Sequence, residues 1–302
     1  MVSPKTSKSS ASPPLLAGFG LTKSFGDFTA NRNIDFTIYP GELHALLGEN
    51  GAGKSTFVKM IYGLLQPDSG YFEWQGKPIH FSNPQEARAA GIGMVFQHFS
   101  LFEAMSVVEN IALALPPEFP KEGLPKLIEQ KSAEYGIPLR PHSLVADLSV
   151  GEQQRVEIMR CLLQDPSLLI MDEPTSVLTP QETMQLFDVL VKLAKQGCAV
   201  LFISHKLEEI KQLTSRATIL RGGDKIAEVV TQTKSTKQLA ELMVGTKIAA
   251  IKPPVAPKNA PAIMQITGLS RPADGPFDTA LRDINLTAHA GEVLGIAGIA
   301  GN

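Results

Sequence analysis

Two kinds of hydrophobic spacing succeed one another along this chain. Short, nearly unbroken apolar runs at Glu42–Leu47, Ile92–Phe96, Leu168–Met171, Ala199–Ile203 and Ala217–Leu220 predict strands. Between them, Ser55–Leu65, Gly151–Leu163 and Gln181–Lys195 place apolar residues three and four apart, the spacing of helices with one buried face. Such alternation predicts a layered α/β domain with helices on the faces of a sheet. From Phe99 to Leu148 the pattern changes to Pro-interrupted helical segments, which predicts a helical insertion in the main layer.

Outside this region the spacing disappears. Residues 1–14 are rich in Ser, Pro and Lys, lack an apolar stretch, and read as a disordered tail ahead of a domain spanning 15–247. Residues 248–262, with their Pro/Ala/Lys run from Lys252 to Ala262, read as a linker. Beyond it the sequence repeats itself. Ala280-Leu-Arg-Asp-Ile-Asn-Leu-Thr-Ala-His-Ala-Gly-Glu292 echoes Ala30-Asn-Arg-Asn-Ile-Asp-Phe-Thr-Ile-Tyr-Pro-Gly-Glu42, and Gly298 and Gly301 fall where Gly48 and Gly51 fall in the first copy. Residues 263–302 therefore read as the start of a second domain of the same type, truncated at its glycine loop.

Charge narrows the class of partner. Lys and Arg number 28 against 30 Asp and Glu, so the chain lacks the basic excess of proteins that bind nucleic acid by releasing counterions. No segment reaches the roughly 18 apolar residues of a membrane span. Cys161 and Cys198 form neither a CxxC pair nor a metal cluster, and both lie in apolar runs, as reduced core thiols of a cytoplasmic protein would.

The chemistry concentrates in two places. Gly48-Glu49-Asn50-Gly51-Ala52-Gly53-Lys54-Ser55, followed by Thr56, matches the phosphate-loop pattern GxxxxGK[ST] between a predicted strand and a predicted helix. In such a loop backbone N–H groups turn inward around phosphates, Lys54 reaches the β- and γ-phosphates, and the Ser55 hydroxyl faces Mg²⁺. Leu168-Leu-Ile-Met-Asp172-Glu173 is an apolar strand ending in two carboxylates. Alone, that pair would serve as well for a solvated strand end. Beside a phosphate loop, Asp172 suits a metal site and Glu173 suits a base that polarises water.

Leu148-Ser149-Val150-Gly151-Glu152-Gln-Gln-Arg155 opens a helix between these elements, with Ser149 as its cap. The order of phosphate loop, Gln97, this signature helix, Asp172-Glu173 and His205 resembles the nucleotide-binding domain of ATP-binding cassette (ABC) transporters, over nearly all of residues 16–245. The resemblance implies a RecA-like P-loop NTPase core sheet with an antiparallel β subdomain and an inserted helical subdomain. It also assigns roles: Phe25 stacks on adenine, Gln97 senses Mg²⁺ and links to a membrane partner, and His205 contacts the γ-phosphate. Ser149, Gly151 and Glu152 would complete the ATP site of a second domain, and Ser176-Val-Leu-Thr179 stands at the D-loop. Two positions depart from the family pattern: the signature reads Leu-Ser-Val-Gly-Glu rather than LSGGQ, and Thr179 replaces the usual Asp. Together with these variants, the segments Gly93-Met-Val-Phe-Gln-His98-Phe-Ser-Leu-Phe102 and Glu173-Pro-Thr-Ser-Val-Leu-Thr-Pro-Gln-Glu182 resemble tandem ATP-binding subunits of nucleoside and simple-sugar importers, the nucleoside branch most closely.

That resemblance implies an ATP hydrolase at the cytoplasmic face of the inner membrane. Its implied partners are membrane-spanning permease subunits, a second ABC domain and, indirectly, an extracytoplasmic solute-binding protein. Phe99–Phe102 and Met105 suit either a docking surface or helical-subdomain core. Two rivals are a soluble cassette protein acting on ribosomes or DNA, which the charge balance disfavours, and a P-loop kinase, which needs neither the signature helix nor His205.

Overall fold

The computed structural model describes residues 13–97, 99–247, 260–274 and 279–297, in two units, 1–248 and 249–302. The first unit begins with an antiparallel pair, β1 (Leu16–Phe25) and β2 (Phe28–Ile38), followed by β3 (Leu43–Leu47), α1 (Lys54–Ile61), β4 (Ser69–Trp74), β5 (Lys77–Ile79) and α2 (Pro84–Ala89). Next come β6 (Ile92–Val95), α3 (Val107–Ala114), α4 (Leu124–Tyr135), α5 (Val150–Leu162), β7 (Leu168–Asp172), α6 (Pro180–Lys195) and β8 (Ala199–Ile203). The unit closes with α7 (Leu207–Leu213), β9 (Arg216–Arg221), β10 (Asp224–Val230) and α8 (Thr236–Val244).

Six strands form the central sheet in the order β10-β9-β3-β8-β7-β6, parallel except for β10, and four form an antiparallel sheet in the order β2-β1-β4-β5. The two sheets and the helices α3 and α4 inserted between β6 and α5 give the α/β P-loop NTPase arrangement with its antiparallel and helical additions. The unbroken apolar runs have a direct cause. Along β7, Leu169 and Met171 enter the core shared with α5 and α6, while Leu168 and Ile170 enter the core shared with α1 and the antiparallel sheet. Both faces are covered, so every position must be apolar.

His44 is the polar exception in β3. It is fully buried, with Nδ1 2.8 Å from Glu42 Oε1 and Nε2 2.9 Å from Thr218 Oγ1. Cys161 and Cys198 are buried, and burial pushes both thiols up to about 12. Among the described residues, no helix is long and apolar enough to cross a membrane.

The second unit holds β11 (Ala262–Arg271) and β12 (Leu281–His289), paired antiparallel like β1 and β2. Its echo of the first unit extends to single hydrogen bonds. Tyr39 N–H donates to Glu42 Oε2 at 2.9 Å, and His289 N–H donates to Glu292 Oε2 at 2.9 Å. Gly20 N–H donates to Asp35 Oδ1 at 2.8 Å, and Gly268 N–H donates to Asn285 Oδ1 at 2.9 Å. Most of the expected tail and linker, together with His98, Gly298, Gly301 and Asn302, lies outside the described residues.

Candidate functional site

Sheet order gathers the site. The carboxyl ends of β3, β8 and β7 are neighbours, and they carry the phosphate loop, His205 and the Asp172-Glu173 pair respectively. This is the edge at which open α/β sheets bind ligands. Gln97 follows β6 on the same edge and is exposed.

Gly48–Gly53 joins β3 to α1, whose first residues are Lys54, Ser55 and Thr56. Gly53 takes φ +98°, and a Cβ there would overlap the Ala30 carbonyl oxygen, so the loop closes against β2 only with glycine. Asn31 of β2, fully buried, donates from Nδ2 to the Gly53 carbonyl at 3.3 Å. Lys54 Nζ turns back into the loop and donates to the Gly48 carbonyl at 2.7 Å and the Glu49 carbonyl at 3.0 Å. Burial holds the Lys54 ammonium below the usual lysine range, against the pull of Glu173 and Asp172. The loop thus presents helix N-terminal N–H groups and one cation to an anion.

Burial, then the neighbouring Glu173 charge, push the Asp172 carboxyl above the usual carboxylate range, with Lys54 and Lys59 partly offsetting. Glu173 has a left-handed backbone, φ +50°, and its N–H donates to the Ile203 carbonyl at 2.9 Å. His205 Nδ1 lies 2.8 Å from Glu173 Oε2, with the ring largely exposed and the carboxylate largely buried. Ser55, Gln97 and Asp172 offer a hydroxyl, an amide and a carboxylate, hard oxygen donors that suit Mg²⁺.

Phe25 ends β1 opposite Phe28, half exposed, with Lys23 Nζ 5.9 Å from its ring centre. The signature residues open α5 and pair with one another and with α6. Ser149 caps α5 in a reciprocal box with Glu152: Ser149 N–H donates to Glu152 Oε2 at 2.9 Å and Glu152 N–H to Ser149 Oγ at 3.3 Å. Gly151 faces α6, and a Cβ there would overlap Glu182 Oε1. Glu182 closes a second capping box with Thr179 and accepts from the Arg155 guanidinium at 3.1 Å.

Sequence reasoning passed over a cluster behind Glu173 and His205: Thr175, Ser204, Lys206 and Glu209. No sequence pattern marked it, because Thr175 follows β7 while Ser204 follows β8 and only the fold brings both to Glu209. It also passed over Glu157, whose Oε1 accepts from Ser100 N–H at 2.8 Å and from the Arg160 guanidinium at 2.9 Å. Leu101 packs on the main core while Phe102 is 60% exposed, so the 99–102 segment is part core and part surface.

A family model described as ABC transporter matches residues 31–176. The nucleoside import ATP-binding protein NupA of Lactococcus lactis is 40% identical over 93% of this chain and 56% of its own length. A guanosine import ATP-binding protein of Bacillus subtilis is 38% identical over 93% and 56%, and a ribose import ATP-binding protein of Lacticaseibacillus paracasei is 39% identical over the same shares. The chain thus spans little more than half the length of the curated relatives it matches. Among solved structures, a nucleotide-free ATP-binding cassette from an ABC transporter superposes with a TM-score of 0.68 at 23% identity, over 77% of this chain and 95% of its own. A Clostridium perfringens protein that is part of the ABC transporter complex cbiONQ gives 0.65 at 28% identity, over 73% and 90%. Residues 31–176 are an ABC transporter domain.

Proposed function

We propose that this chain is the ATP-binding and hydrolysing part of a nucleoside importer, coupling closure around ATP to solute movement. The observation that carries the reading is the convergence of the phosphate loop, Asp172, Glu173 and His205 on three adjacent strand ends. ATP is the substrate. Gly48–Thr56 binds its phosphates, with Lys54 exchanging its carbonyl partners for phosphate oxygens, and Phe25 stacks on the base. Glu173 accepts a proton from the attacking water, and His205 orients that carboxylate and faces the γ-phosphate. Mg²⁺, held by Ser55, Asp172 and Gln97, neutralises phosphate charge when bound.

By the family resemblance, Ser149, Gly151 and Glu152 serve the nucleotide of a second ABC domain, and that domain's signature serves this one. The hydrogen-bond-level echo in residues 262–292 supports a second domain that begins after a linker at 248–262. The permease subunits, reached through the 99–102 segment with its exposed Phe102, hold the protein peripherally at the cytoplasmic face of the inner membrane, with a solute-binding protein acting outside. The ribose and glucose import relatives, at 38–39% identity, favour simple sugars as the second reading of the solute.

Glu173→Gln tests the hydrolytic assignment. MgATP affinity should stay within about twofold and turnover should fall by about two orders of magnitude or more, since the amide keeps the shape but not the basicity. Turnover near wild type would remove Glu173 from its role.

A further inference from the structure

Glu173 and His205 sit on different loops, after β7 and after β8, and their side chains must hold a fixed separation to act together. Glu173 adopts a left-handed backbone that a non-glycine residue keeps only when its surroundings impose it. The residues next to these two converge on one carboxylate. Thr175, fully buried two residues beyond Glu173, donates from Oγ1 to Glu209 Oε2 at 2.6 Å. Ser204, buried immediately before His205, donates from Oγ to the same oxygen at 3.3 Å. Lys206, immediately after His205, donates from its N–H to Ser204 Oγ at 3.1 Å and from Nζ to the Thr175 carbonyl at 2.8 Å. Its Nζ also lies 3.2 Å from Glu209 Oε1.

We propose that Glu209 is a positioning residue for ATP hydrolysis, a carboxylate that ties the loop bearing Glu173 to the loop bearing His205; this rests on the hydrolytic reading above. The ring closes through both loops: Thr175 to Glu209, Glu209 to Ser204, Ser204 to Lys206, and Lys206 back to Thr175. Two of its hydroxyls are buried, so without the carboxylate they lose their acceptor and the loops lose their common reference. Glu209 stands on α7, which is anchored independently by buried Ile210 and Leu213, so the helix does not need the carboxylate in order to form. The carboxylate therefore acts on the spacing of the loops rather than on the helix. Oε2 serves the two hydroxyls and Oε1 serves Lys206, so an amide at this position can keep the hydroxyl acceptor while giving up the ion pair.

The test uses the 302-residue chain carrying Glu209→Ala, Glu209→Gln, Thr175→Val, or Thr175→Val with Glu209→Ala. Glu209→Ala should lower kcat about tenfold or more with MgATP affinity within about twofold, because displaced catalytic groups lose rate without losing nucleotide contacts. Glu209→Gln should recover most of that rate. The double variant should be no slower than the slower single, since both changes cut the same tie. Amide exchange read on the same proteins should rise together at residues 173–178 and 204–208 in Glu209→Ala and stay unchanged in β3 and α1. Affinity falling in step with kcat, additive losses in the double variant, or exchange rising in one segment alone would overturn the tie. Paired exchange changes in a protein whose wild type hydrolyses no ATP would uphold the tie and overturn the hydrolytic reading instead.

Discussion

Asp172 shows how a single residue trades stability for a site. Burial and the Glu173 charge raise its pKa in the folded protein above the unfolded value. A group shifted in that direction contributes fully to stability below its unfolded pKa and loses that contribution as pH rises through its folded pKa. At neutral pH the Asp172 charge therefore works against the fold. Asp172→Asn should raise Tm at neutral pH by about a degree or two, while weakening Mg²⁺-dependent nucleotide binding. The gap should close in acid, where the wild-type carboxyl is protonated as well. A lower Tm for the variant at neutral pH would show that its partners outweigh its burial. Asp172 and Glu173 were legible in the sequence because they end an apolar strand, Lys54 because it stands in a phosphate-loop pattern, and His205 through the family resemblance. Glu209 was not, since its partners Thr175 and Ser204 come from other loops and only the folded sheet brings those loops together.

At the scale of elements, the N-termini of α5 and α6 are packed through one missing methyl group. Glu182 is already committed to the Thr179 N–H, the Thr179 hydroxyl and Arg155, so it cannot swing away from a side chain at position 151 without breaking its capping box. Gly151→Ala should cost about 1–3 kcal/mol in a denaturant titration, as overpacking of a fixed contact does. A cost below about 0.5 kcal/mol would mean that Glu182 relocates freely. The sequence revealed the parallel strands and α1, α5 and α6 to within a few residues, because burial on both faces or on one face leaves a clear period. The strands of the antiparallel sheet gave no such signal: β5 is only Lys77–Ile79, and register shifts in β1 break its alternation. Their presence came from the family resemblance, not from periodicity.

For the molecule as a whole, the proposed function assigns Ser149 and the phosphate loop to different nucleotide sites, so that one copy of the domain would supply only part of each. The specific ATPase activity of the 302-residue chain should rise with its own concentration and then level off, as two copies exchange signatures without a covalent tether. Flat specific activity, with the chain monomeric by light scattering in MgATP, would contradict the composite site. The repeat at residues 280–292 was legible because the same turn recurs residue by residue; the solute of the proposed importer was not, because every role proposed for the site residues concerns nucleotide or a partner domain rather than solute. The position of β3 in the sheet has a further consequence, for synthesis. His44 pairs with Leu201 on one side and Arg216 on the other, so the strand that launches the phosphate loop has no neighbours until both have been made. Contacts so distant in sequence form late. On the ribosome the loop emerges early, yet it must wait for some 170 further residues before its strand is enclosed, and through that interval the nascent chain carries a nucleotide-binding motif without a nucleotide-binding site.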